Sequence, residues 1–328
     1  MTHLKIQKAA AALLCVLGVA SAAPTWAQGV AWVSSEKDHA LTLVDMASHT
    51  VIGTVPTCKR PRHVQLSPDR KLLLAVCGES NAADVIDLVT RKSVKRIPLG
   101  EDPEAFDVSP DGKTLYVSRE EDAQLAFIDY ATGKQTQTVD VGKEPEGVKV
   151  SADGKWVYVT SEVANMVHVI DVASAKIIKN IKVGKRPLRF ALTPDGAQLW
   201  VSNELDASVS IINTKTHEVT DTLRFEVKGA RASDITPVGL TITRDGKRAF
   251  VALGRANHVA FVDVATRKVT DNVLVGKRAW NVALNKAESQ LYVVNGLSDD
   301  MSIVDVASAK AIKTVRVGRV PYGVVLVE

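Results

Sequence analysis

The sequence predicts an all-β, seven-bladed propeller of four-stranded blades, on three observations. A unit of 42 residues recurs along the chain, four short alternating apolar runs fill each unit, and the last unit is only one strand long. Residues 145–186, PEGVKVSADGKWVYVTSEVANMVHVIDVASAKIIKNIKVGKR, hold one complete unit. Its apolar residues alternate in four runs: Val148/Val150, Val157/Val159, Val167/Val169, and Ile177/Ile181 with their neighbours. That period indicates four strands. Between them lie a Ser-Ala-Asp-Gly turn (151–154), a polar loop (161–165), a tight turn (171–176) and a Gly-Lys-Arg-Pro link, each carrying the Gly, Asp, Asn or Ser that turn geometry favours.

The register follows from the residue that opens each copy: Pro61, Pro103, Pro145, Pro187, Pro237, Ala279 and Pro321. All intervals are 42 residues except the 50 between Pro187 and Pro237, which imply an eight-residue insertion. The seventh copy ends one strand after Pro321, and its missing three strands are found at residues 30–34, 40–45 and 50–55. The C-terminal strand is therefore expected to join the N-terminal three and close the ring, which removes the exposed sheet ends of an open array.

Ahead of the repeats, Lys5 and Lys8 precede an apolar run from Ala9 to Ala20, and Thr25, Trp26 and Ala27 form a small-x-small cleavage site before Gln28. Residues 1–27 read as a secretory signal peptide and residues 28–328 as one propeller domain, soluble and periplasmic. No run reaches the length of a membrane span. Losing the signal takes the formal charge of +4 down by two, too little for general attraction to nucleic acid. A monomer is expected. Cys58 replaces a link glycine and Cys77 ends the following second strand, so a hairpin centred on Pro68 and Asp69 makes them near neighbours. An exported protein allows a disulfide there; two buried free thiols are the alternative.

Links and second-to-third-strand loops emerge on one face of a propeller, and that face is the expected binding surface, with a mouth at the central channel. Mixed charge encircles it. The residues just after each opening position lie closest to the mouth: Arg62 and His63, Glu104, Glu146, Leu188 and Arg189, Val238, Trp280 and Asn281, and Tyr322. Repetition alone would favour one small residue, so Arg62, His63, Arg189, Trp280 and Tyr322 look individually chosen. Two arginines with flanking rings suit an anionic, partly aromatic ligand; alternatively the arginines pair with Glu104 or Glu146 across the channel. The insertion, with Lys228 and Arg231, falls on the same face and suits either a partner contact or a neutral loop.

Other chemistries find no motif. There is no Cys-x-x-Cys-His for haem attachment, no EF-hand loop and no Gly-x-Ser-x-Gly elbow, and the mature histidines are scattered. No metal is expected. An aromatic content of 5% argues against an elaborate quinone-stacking site.

The phrases LYVSREED (115–122), WVYVTSEVANM (156–166), LWVSNELD (199–206) and LYVVNGLSDD (291–300), together with third strands ending in Asp in FIDYATGK, VIDVASAK, FVDVATRK and IVDVASAK, resemble the YVTN repeat. Over the mature chain the sequence is similar to the exported seven-bladed propellers known as PQQ-dependent catabolism-associated β-propeller proteins. The closest likeness lies in FEVKGARASDITPVGLTITRDGKRAFVALGRANHVAFVD (225–263) and VRVGRVPYGVVLVE at the end. The resemblance implies an association with pyrroloquinoline-quinone-dependent alcohol oxidation, and it offers no catalytic residues to carry over. PQQ enters only through that association. The expected role is a non-catalytic binding or scaffold protein for a small anionic ligand, a quinoprotein dehydrogenase or a cytochrome. The alternative is a lactonase-like hydrolase or a dehydrogenase subunit using the channel mouth, supported by fold analogy alone.

Overall fold

The alternating runs form strands, and the polar separators form turns whose hydrogen bonds repeat from copy to copy. A computed structural model describes residues 29–328; the expected signal segment lies outside the described residues. Seven antiparallel sheets of four strands stand in a ring. Blade 1 contains Val30–Ser35, Ala40–Asp45 and Thr50–Pro56, with Pro321–Val327 as its innermost strand. The innermost strands of blades 2 to 7 are Pro61–Leu66, Pro103–Val108, Pro145–Val150, Pro187–Leu192, Leu240–Ile242 and Ala279–Leu284. Ring closure is as expected: Val30 pairs with Val327 and Val33 with Val324.

Burial explains the alternation. Each of the seven apolar clusters joins two neighbouring blades; one packs Val76, Val85 and Ile97 of blade 2 against Phe106, Val117 and Ile128 of blade 3. The last of them, Ala31, Val33 and Val44 against Tyr292, Val294 and Ile303, seals blade 1 to blade 7. Middle strands are therefore covered on both faces, whereas each outermost strand is mostly exposed: only Val139 is buried in Gln135–Asp140. Among the described residues, the only helical pieces are the 3-10 turns Gly78–Ser80 and Ala232–Asp234.

The turn chemistry is local. An Asp at the end of a third strand accepts hydrogen bonds from the backbone and hydroxyl of a Ser or Thr three residues on, as Asp129 does from Thr132 and Asp305 from Ser308, and in blade 5 Asn213 takes its place and accepts from the backbone of Thr216. Such Asx turns tie the chain back on itself without long-range help. In the first hairpin of a blade, Ser67, Ser109, Ser151, Thr193 and Thr243 donate to the Asp two positions later.

Blade 6 departs from the register. Pro237 does not open its innermost strand, which shrinks to Leu240–Ile242. The insertion brings Thr236 against Gly254, where an added Cβ would collide with the threonine hydroxyl, and Val238 still donates to Ala252. Gly254 is left-handed (φ 48°), so a side chain there would meet both a backbone and a steric penalty.

Cys58 and Cys77 form a disulfide with their Cα atoms 5.7 Å apart, both buried. It fastens the link between blades 1 and 2 to the second strand of blade 2. Chain entropy assigns a loop of this size about 3 kcal/mol. The Cys58→Ala/Cys77→Ala variant is expected to lose about that much in urea unfolding, with reduced wild type matching it; coincident midpoints for oxidised and reduced protein would refute the contribution.

Candidate functional site

The face carrying the links is built by one repeated contact. The first residue of a second-to-third-strand loop donates its N–H to the carbonyl of the residue before its own blade's opening position: Glu36 to Val320, Gly78 to Arg60, Glu120 to Asp102, Glu162 to Glu144 and Glu204 to Arg186. Those link residues have left-handed backbones, at φ 59° for Arg60, 53° for Glu144 and 54° for Arg186. The result is a charged collar. Arg60 reaches Glu36 and Asp102, each at 3.4 Å, and Arg186 reaches Glu162 at 2.6 Å and Glu204 at 3.2 Å.

Below the collar, hydroxyls of the second strands hold the channel residues in place. Ser34 donates to the carbonyl of Arg62, Ser118 to that of Glu146 and Thr160 to that of Leu188, each acceptor 28 residues on in the next blade. The same hydroxyls accept N–H groups of their own blades' innermost strands, from Gly323, Ala105 and Gly147. In blades 1, 3 and 4 a single Ser or Thr thereby joins two innermost strands at the level of the mouth.

The side chains so placed meet one another. Arg62 pairs with Glu104 and lies 3.8 Å from Glu146; Arg189 pairs with Glu146 at 2.6 Å and donates to the Tyr322 hydroxyl. The guanidinium carbons of Arg62 and Arg189 stand 4.7 and 5.6 Å from the centre of the Tyr322 ring, and the Trp280 ring is 5.6 Å from it. Arg278 in turn covers Trp280 at 4.6 Å. All five groups of the inner network, Arg62, Glu104, Glu146, Arg189 and Tyr322, are buried.

Burial works against every charge here, and the pairing outweighs it. Desolvation would protonate Glu146, but Arg189 and Arg62 hold its carboxyl below the ordinary value. Desolvation would likewise discharge Arg189, but Glu146 holds it above its ordinary value. Glu162 goes the other way: burial, then Glu146, pushes its carboxyl up to about 8 despite Arg186. His63 stays neutral, because burial and then Arg189 push its imidazole down to about 4. Its ring stands edge-on to Phe106 at 5.1 Å.

The structure thus gathers Arg62, Glu104, Glu146, Arg189, Trp280 and Tyr322 and leaves other candidates aside. Asn281 spends its side-chain oxygen on the N–H of Val282. Lys228 and Arg231 are exposed on the insertion and enter none of the ion pairs of the network. One row escaped the sequence reading: Gln65 donates to Asp107 at 2.9 Å, and Lys149 meets the other oxygen of Asp107 at 2.8 Å. These residues are 42 apart, so one polar column of the repeat was their signal.

At the other end of the channel a cavity of about 890 Å³ opens among the first hairpins of blades 2, 6 and 7, lined by Gln65, Arg70, Arg244, Asn285, Lys286 and Glu328 with apolar strand residues. It lies on the face opposite the links. Its polar groups are largely engaged: Arg70 donates to Leu326, and Arg244 pairs with Glu288.

A family model described as the choice-of-anchor I domain matches residues 122–324, and a YNCE-like beta-propeller model matches residues 67–150. No curated protein matches the chain. The solved structures similar to it include hydrazine synthase of Kuenenia stuttgartiensis, with 21% identity and a TM-score of 0.74 over 84% of this chain and 92% of that one. The periplasmic gluconolactonase PpgL of Pseudomonas aeruginosa is 18% identical, with a TM-score of 0.77 over 92% and 99%. The dihydro-heme d1 dehydrogenase NirN is 15% identical, with a TM-score of 0.68 over 91% and 75%. At these identities the likeness shows the propeller fold.

Two outcomes test the network. Glu146→Ala strands the buried guanidinium of Arg189, while Arg62 keeps Glu104, and is expected to cost about 3–5 kcal/mol in urea unfolding, whereas a loss under ~1 kcal/mol, the worth of an exposed pair, would count against it. Folded Glu162 holds its proton up to about 8, against 4.5 ordinarily, so its contribution to stability falls as pH rises between those values. Glu162→Gln should flatten that decline in thermal unfolding at pH 5 and pH 8; an unchanged slope would refute it.

Proposed function

Since the chain belongs to the choice-of-anchor I domain family, we propose that it is an exported, non-catalytic binding propeller that takes a small anionic ligand at the link-face mouth of its channel. The observation that carries this reading is a set of unanswered donors around one ring. Nε of Arg62, Nε of Arg189 and Nε1 of Trp280 are buried without a hydrogen-bond partner, and all three side chains contact Tyr322. A buried donor left unpaired costs about 1–3 kcal/mol, so three close together favour a guest rich in acceptors. Their terminal nitrogens are committed to Glu104 and Glu146, which keeps the arginines in place before a guest arrives. The link to quinoprotein alcohol oxidation in the periplasm rests on the resemblance of residues 225–263 and of the final strand, and makes an anionic aromatic quinone or a docked dehydrogenase or cytochrome the expected client.

Native mass spectrometry of the protein from the exported fraction, followed by calorimetric titration with PQQ and with succinate, tests the reading. A mature start at Gln28, a small-molecule adduct, and binding weakened about tenfold by Trp280→Phe, the worth of one lost hydrogen bond, are expected. A bare protein that takes up neither probe would overturn it. A hydrolase is the second reading, favoured by Glu162, which stays protonated to about 8 at the mouth and is placed to donate a proton. Turnover of glucono-δ-lactone that disappears in Glu162→Gln would carry that reading instead.

A further inference from the structure

We propose that Asp102, Glu104 and Glu120 of blade 3 hold a divalent cation of the calcium type beside the channel mouth. One oxygen from each carboxylate lies within 4.8 Å of the others. Two oxygens bound to one Ca²⁺ at 2.3–2.6 Å can be up to about 5 Å apart, so a single ion can touch all three. The donors are all oxygen, which suits calcium, or manganese as its probe, over zinc.

Two further observations point to an ion. Glu104 has a side chain only 1% exposed; one of its oxygens meets Arg62, and the other, Oε2, is buried with no partner. A carboxylate oxygen sealed from water in this way lacks half of its compensation. Glu120 is half-buried and its carboxylate makes no ion pair or hydrogen bond among the described residues. The backbone has already fixed the geometry, since the N–H of Glu120 is held by the carbonyl of Asp102 at 3.1 Å.

The neighbouring arginines do not preclude the ion. Arg60 is shared between Asp102 and Glu36 at equal distance, and Arg62 has Glu146 and the Tyr322 ring as alternative partners. No local motif marks the site, because its ligands come from the link and innermost strand on one side and from the loop after Arg119 on the other. Glu104 is common to this site and to the pair that holds Arg62 beside Tyr322.

The test is calorimetry and thermal unfolding of the full mature chain, stripped with chelator and titrated with calcium chloride and then manganese chloride. Wild type is expected to bind one ion and to melt at a higher temperature with it. Glu120→Gln and Asp102→Asn should fold, melt at or above the metal-free wild type, and bind at least about tenfold more weakly, as expected when ligand charge falls. Glu79→Gln, on an exposed loop of blade 2, should bind like wild type. No heat and no thermal shift at ~10 mM of either metal, beyond the weakest extracellular sites, would overturn the proposal, as would a response that survives in both ligand variants.

Discussion

Closure of the ring is the constraint on which the rest of this structure depends. Strands rich in Val, Ile and Leu on both faces have no stable solution as a free sheet, because one face would stay in water. Here each blade is covered by the next, and the sequence of seven interfaces comes to an end only because Pro321–Val327 pairs with Val30–Ser35. The pairing joins residues about as far apart in sequence as the described chain permits. The Cys58–Cys77 bridge sits one blade away, fastening the first link after the closing blade.

The same architecture turns a packing rule into a site. A Ser or Thr in the second strand bridges its own innermost strand to that of the next blade, fixing the carbonyls of Arg62, Glu146 and Leu188. Side chains at these positions therefore enter the channel from a stiff frame and not from mobile loops, which is what a preorganised site needs. Where the hydroxyl is replaced, the joint changes: blade 6 has Ala252 in that place, and its Gly239 donates instead to the carbonyl of Trp280. Trp280 is thus held at the mouth by a joint of a different kind.

Charge in the mouth is mostly spoken for, and the remainder defines what the site can accept. Arg62 and Arg189 hold Glu104 and Glu146, so neither sign dominates inside the channel. Removing one member exposes the desolvation cost of the others, because buried pairs are stabilised mainly relative to their broken halves. What stays unanswered is directional: donors around Tyr322 and acceptor oxygens on the blade 3 side. An anion and a cation would thus find separate places on one face, a few residues apart.

Much of this was legible in the sequence. Blade number, strand limits and turns depend on alternation, on Asp, Ser and Gly chemistry within a few residues, and on a period of 42, all of which act locally and repeat. The spacing alone also placed Cys58 near Cys77 and put Arg62, Glu104, Glu146, Arg189, Trp280 and Tyr322 at the mouth. Only the tertiary structure decided that these groups pair with one another, that Asn281 turns back on its own backbone, and that the opening of blade 6 is displaced past Pro237. It also produced the row Gln65–Asp107–Lys149 and the carboxylates of blade 3. The physical reason is distance along the chain: partners 42 residues apart, or 133 in the case of Arg189 and Tyr322, are brought within hydrogen-bonding reach by the curvature of a closed ring, which no local pattern of residues encodes.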